Sequence, residues 1–270
     1  MSKAYVDTTI LTNVLLKRST ARGLESAAAL ARFSKTELPQ YAIKEFKKGP
    51  LAVYVWLYNK LATTRSYAQT LSAVRRVAAT PQRYRVSTAL EALEVAATAT
   101  GSGASRELEE KYGTSATLDS ITCDEHRLAL KALIFRAWVR RNRVVSGVTQ
   151  QLSCYKEAQP TEKRGLIDLE PKRCHPSTEC CLGSAMRADT NALKTLRSTV
   201  ANQPRKLENE RRLRALDALI AGGTMSEKIC DDLGDAIFVF FAPRGSVILT
   251  TNVRDFAELA KAVGKTVEAP

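Results

Sequence analysis

The chain reads as an α/β protein, with short buried strands at its two ends and helices filling the long stretch between them. Three observations carry that reading. Ala4-Tyr5-Val6 is a short apolar strand that stops on Asp7. Near the C-terminus, Asp231-Asp232-Leu233-Gly234-Asp235 leads into the wholly apolar run Ala236 to Ala242; Pro243-Arg244-Gly245 then breaks the chain, and Val247-Ile248-Leu249 reads as a strand buried on both faces. Between the two ends, from Leu51 to about Gln151, apolar residues recur at helical spacing.

Taken in order, the first strand hands over to a helix from Ile10 to Lys17, with Ile10, Leu11, Val14 and Leu15 on one stripe and Thr8-Thr9 able to cap it. Asp7 caps that helix or, at a strand tip beside a helix N-terminus, holds a cation or polar ligand. Gly23 to Ala31 forms an alanine-rich helix. Pro39 suits the first turn of the next one, which turns Tyr41, Ala42 and Phe46 inward roughly together with Glu45. Leu51 to Leu61, Tyr67 to Ala79 and Val86 to Ala97 are packed helices. A longer helical region from Leu118 to about Gln151 buries Leu130, Leu133, Ile134 and Ala137 and carries Arg136, Arg140 and Arg143 on another face. Helices at Ala185 to Thr199 and Lys206 to Ala221 follow, Phe256 to Val263 is a terminal helix, and Thr266-Val267-Glu268 adds an edge strand.

The balance of residues narrows the partners. Of 270 residues, 44% are hydrophobic and 26% charged, a globular mix that argues against wholesale disorder. Forty-one Lys and Arg against 28 Asp and Glu leave a formal net charge of +13. Such an excess favours a polyanion, nucleic acid above all, or an acidic protein partner. An acid interrupts the first apolar run at Asp7, so no signal peptide is expected, and no run approaches membrane-span length. A cytoplasmic protein is expected, with its six cysteines as reduced thiols or metal ligands. Cys154, Cys174, His175, Cys180 and Cys181 fall in a proline-marked stretch of weak periodicity, where reduced Cys and His fold around zinc or stay as buried free thiols. Cys123 and His126 form a CxxH pair whose plainer reading is core burial.

Asp7, Glu45, Asp235 and Asp255 sit at similar places, near a helix start or a strand end. If a parallel sheet gathers those ends, the carboxylates repel one another and call for hard divalent cations, Mg²⁺ or Mn²⁺. Val6-Asp7-Thr8-Thr9, Ala42-Ile43-Lys44-Glu45-Phe46, Gly234-Asp235-Ala236-Ile237 and Leu249-Thr250-Thr251-Asn252-Val253-Arg254-Asp255-Phe256 together resemble the PIN-domain family of metal-dependent ribonucleases. The resemblance implies a three-layer α/β/α fold around a short parallel sheet, and carboxylates binding Mg²⁺ or Mn²⁺ to hydrolyse RNA. By motif, Asp7, Glu45 and Asp235 match the first three acids. Asn252 stands where the family commonly has the fourth acid, and Asp255 follows one turn later. Asp231 is a candidate to compensate, four residues before Asp235, and Thr8, Thr251 and Asn252 are candidates to orient the acids. Lys44, Lys47, Arg136, Arg140 and Arg143 would guide a nucleic-acid backbone.

The resemblance covers the two ends only. Residues 1–50 and 225–270 are expected to form the nuclease core, and 51–224 a mainly helical insertion, part of which completes that core. Cys154, Cys174, Cys180 and Cys181 are the candidate ligands of a structural zinc in it. Because many bacterial members of the family are toxins, an antitoxin or phage-defence partner and a homodimer are also implied, with DNA as an alternative substrate. A catalytically silent module binding nucleic acid or protein is the alternative function.

Overall fold

Strands as short as these hold only when a neighbour pairs them, and in the computed structural model a parallel sheet does so. It describes residues 3–80, 82–99, 117–170, 174–175 and 180–270. The elements run β1 (Lys3–Val6), α1 (Thr8–Leu16), α2 (Ala21–Ala31), β2 (Lys35–Pro39) and α3 (Gln40–Phe46). A wide π-type turn, Lys47–Leu51, leads to α4 (Ala52–Thr64), α5 (Tyr67–Ala78), α6 (Tyr84–Ala99) and α7 (Leu118–Arg140), followed by β3 (Gly147–Thr149). Then come β4 (Thr161–Lys163), β5 (Leu166–Asp168), α8 (Cys181–Ala188), α9 (Thr190–Ala201), α10 (Leu207–Ile220), α11 (Glu227–Leu233), α12 (Asp235–Phe241), β6 (Ser246–Leu249), α13 (Val253–Ala262) and β7 (Thr266–Glu268).

The main sheet has the order β3-β2-β1-β6-β7, every neighbouring pair parallel. β1 lies at its centre and is buried from Ala4 to Val6. The chain winds outward from β1 through β2 to β3, returns to pair β6 against the other edge of β1, and winds outward again to β7. The β1–β6 boundary, with Val6 opposite Leu249, is therefore where the winding reverses. Ligands of open α/β sheets bind beyond the strand C-termini at such a reversal.

Two strands depart from the sequence reading. β2 is not evident in the sequence because Lys35-Thr36-Glu37-Leu38-Pro39 alternates polar with half-polar residues; only Thr36, Leu38 and Pro39 are buried, and Pro39 ends the strand instead of opening the helix. The helix expected to reach Gln151 stops at Arg140. Gly147, Val148 and Thr149 pair with Glu37, Leu38 and Pro39, so the long middle stretch expected to be helical supplies the sheet's outer strand. Within the cysteine stretch, β4 and β5 form a small hairpin whose turn uses Arg164 and Gly165, both at positive φ.

Packing beneath the C-terminal ends fixes the site. Phe238 of α12 is 1% exposed and meets Tyr41, Phe256 and Tyr5 edge-on, with ring centroids 5.6, 6.0 and 6.5 Å away. Burying such a ring is worth about 1.5–3 kcal/mol, and each good aromatic pair about 0.5–1.5 kcal/mol more. Asp235 lies three residues before Phe238 on the same helix, so anchoring the ring also anchors the carboxylate. Among the described residues no helix is long and apolar enough to cross a membrane.

Candidate functional site

Asp7 ends β1 and caps α1. Its Oδ1 accepts from the Thr8 amide (2.6 Å) and its Oδ2 from the Thr9 amide (3.3 Å), the Thr9 hydroxyl (2.7 Å) and the Thr250 hydroxyl (2.7 Å). The capping reading and the strand-tip reading thus describe one residue. The expected caps, Thr8 and Thr9, are instead the helix's first two residues. Thr250 follows β6 directly and is fully buried, so the two central strands fix the carboxylate between them. The Thr251 contribution is its backbone amide, which donates to Thr9 Oγ1 (3.2 Å).

Glu45 reaches the same place from α3, where its Oε2 accepts from Thr8 Oγ1 (2.7 Å). Asp235 opens α12, directly after Gly234 at φ +27°, a backbone that lets α11 stop and α12 restart in a new direction. That break puts Asp231 and Asp235 on different helices. Asp231 does not join the acids by sharing a helical face with Asp235: it is exposed and ion-paired to Lys48. Asp255, in the first turn of α13, accepts from Asn252 Nδ2 (2.8 Å), and the Asn252 amide donates to Thr250 Oγ1 (3.0 Å).

The electrostatics show that Asp7, Glu45 and Asp235 share one field. Burial pushes the Asp7 carboxyl above its usual range, against the lowering bonds from Thr9 and Thr250. Burial also lifts Glu45 to about 8; Tyr41 and Thr8 oppose the shift, while Asp7 and Asp235 add to it. Asp235 rises to about 6, by burial first, with Arg212 lowering it and Asp7, Glu208 and Asp255 raising it.

The compensating charge is Arg212, a residue not singled out in the sequence. It comes from α10, is 4% exposed, and donates through Nη2 to Asp235 Oδ2 (2.7 Å), while its buried Nε has no partner. One signal could have found it. Arg212, Ala215, Leu216 and Leu219 share the buried stripe of α10, and an arginine in that series has to face a buried acid or ligand. Glu45, Asp231, Asp232, Asp235, Arg211 and Arg212 line an open cleft of about 720 Å³.

The remaining candidates lie elsewhere. Lys44 and Lys47, expected to guide a backbone, are 1% and 0% exposed. Lys44 Nζ faces Cys230 Sγ at 3.8 Å; Lys47 Nζ donates to the Ala158 carbonyl (3.0 Å) and stands over the Trp138 ring. Both are core residues, placed there because α3 and the π turn are covered by the insertion. Arg136, Arg140 and Arg143 are exposed. Arg136 and Arg140 line a separate depression with Leu16 and Arg18, at the far end of α1 from Asp7, and Arg143 precedes β3, so all three stand toward the N-terminal end of the parallel strands, away from the acids. A nine-residue helix separates the two ends by about 13 Å.

Cys123 is buried, its thiol donating to the Leu61 carbonyl (3.4 Å), and His126 stacks on Tyr67, so the CxxH pair belongs to helix packing. The Cys154 thiol donates to Cys174 Sγ (3.4 Å), and Cys180 is electrostatically linked to both Cys154 and Cys230. Cys181 stands outside that group and donates to the Gln151 carbonyl (3.1 Å). The reason is local: Cys180 caps α8 while Cys181 begins it, which turns their side chains apart.

Among the described residues, no three His, Cys, Asp or Glu side chains stand in a geometry that could hold a metal ion as they are. No family model matches the chain, and no curated protein or solved structure shows a significant match to it.

Proposed function

We propose that the cleft is the centre of a PIN-like, Mg²⁺- or Mn²⁺-dependent endoribonuclease. The observation that carries this reading is the meeting of Asp7, Glu45 and Asp235, drawn from the first strand, the third helix and the twelfth, at the reversal of the sheet. Three carboxyls whose charged forms are disfavoured by burial and by one another gain from a neutralising hard cation, and oxygen donors suit Mg²⁺ or Mn²⁺. Asp7, Glu45 and Asp235 would hold the ion, with Asp255 adding negative charge beside Asp235. A bound ion supplies charge neutralisation at a phosphodiester and activation of water.

The chain's own residues do the rest. Thr8, Thr9 and Thr250 fix the Asp7 and Glu45 oxygens in advance, which removes the cost of ordering them on binding. Glu45, up at about 8, holds its proton at neutral pH until a cation enters. Arg212, which pairs with Asp235 in the absence of a cation, would present its guanidinium to a phosphate oxygen once a cation took its place on that carboxylate. The net charge of +13 favours RNA over a neutral substrate, with DNA as the alternative the assay below separates.

The Arg212–Asp235 pair favours a second reading, a catalytically silent nucleic-acid- or protein-binding module in which the guanidinium permanently takes the place of the cation. Labelled RNA and single-stranded DNA incubated with and without Mn²⁺ separate the two. The nuclease reading expects Mn²⁺-dependent cleavage that Asp235→Asn abolishes in a folded protein. Undiminished cleavage by that variant, or no Mn²⁺ binding by the wild type, defeats it. Toxin and phage-defence roles, with a dedicated protein partner, follow only from the family resemblance and belong to the same proposal.

A further inference from the structure

The sulfurs of the insertion carry a separate inference, independent of the nuclease reading. Cys154, Cys174, Cys180 and Cys230 come from four separate positions along the chain. Three belong to the insertion, and the fourth lies on α11, immediately before Asp231. Cys154 and Cys174 are in contact at 3.4 Å, and Cys180 lies close enough to Cys154 and Cys230 to perturb the titration of both. Lys44 closes the ring, because its ammonium contacts both Cys230 (3.8 Å) and Cys174. Cys154, Cys180 and Cys230 are 3 to 5% exposed, and Lys44 is 1% exposed.

Two features of this ring point to a missing ion. Four sulfurs around a tetrahedral zinc with bonds of about 2.3 Å stand about 3.8 Å apart, and Cys154 and Cys174 are already 3.4 Å apart. The second feature is charge. A buried ammonium needs an anion; among the described residues no carboxylate stands within ion-pair distance of Lys44, and the groups that face it are the sulfurs of Cys230 and Cys174, with Asp231 acting from farther off. Four thiolates around Zn²⁺ carry a net charge of −2, which gives Lys44 its counter-ion.

We propose that Cys154, Cys174, Cys180 and Cys230 bind one Zn²⁺, with Lys44 as its buried counter-charge. Binding releases the thiol protons to solvent and leaves the oxidation state of sulfur unchanged, so it needs no oxidant. The end sulfurs, of Cys174 and Cys230, must swing toward each other past the Lys44 ammonium to complete the shell. The ion then ties the insertion to α11, the helix that leads through Gly234 into Asp235. It differs from the set suggested by sequence proximity in one ligand: Cys230 replaces Cys181.

The test is metal content and cobalt spectroscopy of the full chain purified under reducing conditions. The expected results are one zinc per chain and, after exchange for Co²⁺, thiolate-to-cobalt charge-transfer bands with the intense visible bands of a tetrahedral ion. Cys230→Ser and Cys180→Ser should lose them, whereas Cys181→Ser and Cys123→Ser keep them. If the ligand variants fail to fold, the wild type still decides: a chelator should expose four additional thiols to a thiol reagent as zinc leaves. Zinc-free protein that takes up no Co²⁺ on reconstitution overturns the proposal. So does a Cys154–Cys174 disulfide in the intact mass without metal, or loss of the ion in Cys181→Ser. Absence of nuclease activity in zinc-loaded protein would count against the nuclease reading alone.

Discussion

Replacing Arg212 by glutamine tests what holds the acidic cleft together. The guanidinium is 4% exposed and in contact with Asp235 at 2.7 Å. With charge centres about 4 Å apart and an effective dielectric constant of about 20, their attraction is about 4 kcal/mol. Orphaning one member of a buried pair costs about 3–5 kcal/mol. The Asp235 side chain keeps 22% of its exposure, so water in the cleft screens it, and a loss of about 2–3 kcal/mol at pH 7.5 is expected. The pH dependence is the sharper part. Asp235 titrates near about 6 in the folded protein, above its ordinary 3.8, and losing Arg212 moves it higher. A carboxyl raised by folding binds more protons in the folded state, so its penalty grows as pH rises from the unfolded value through the folded one. At pH 5 the group is already mostly protonated with or without Arg212, and the variant should match the wild type. Urea unfolding without divalent ions, followed through the buried Trp138, measures both values. At pH 7.5, Mn²⁺ should bind the variant more tightly than the wild type and, at 100 times its dissociation constant, restore about 2.7 kcal/mol. Equal losses at pH 5 and 7.5 would show that Arg212 acts by packing, and the charge reasoning would be refuted.

Other outcomes follow from the same geometry. On the proposed nuclease reading, Asp7→Asn and Asp235→Asn each remove several kcal/mol of charge stabilisation, so Mn²⁺-dependent cleavage should fall about 100-fold or more, read by gel assay with near-ultraviolet circular dichroism as the control for folding. Thr250→Val deletes the hydroxyl bond to Asp7 at the sheet centre. It should cost about 1.5–3 kcal/mol while Thr250→Ser, which keeps the hydroxyl, costs little; a larger cost for Thr250→Ser than for Thr250→Val would place the effect in the methyl packing instead. Without divalent ions the wild type should become more stable as pH falls from about 8 toward 5. Glu45 and Asp235, at about 8 and about 6 in the folded protein, take up protons there that the unfolded chain does not; a flat melting temperature across that range would contradict the shared field.

The sequence by itself determined the parts governed by local pattern. Ala4-Tyr5-Val6 and Val247-Ile248-Leu249 are apolar runs that water excludes in any fold, and the tail strand Thr266–Glu268 and the stripes of α4 to α6 followed from spacing alone. Asp7, Glu45 and Asp235 were legible because each stands at a recognisable junction of strand and helix. What the sequence leaves open is set by distance through space. β2 and β3 are strands only because β1 and β2 offer them a paired edge, and segments of five and three residues hold too few local contacts to announce themselves. Lys44 and Lys47 look like a basic surface until the insertion covers them. Arg212 meets Asp235 across 23 residues, and Cys230 meets the insertion's thiols across 50 or more, so no spacing rule connects them. The acids of the cleft could be read from the chain; the guanidinium that neutralises them, and the side chains they exclude, belong to the tertiary structure, because charge pairing depends on proximity and proximity here is made by the sheet.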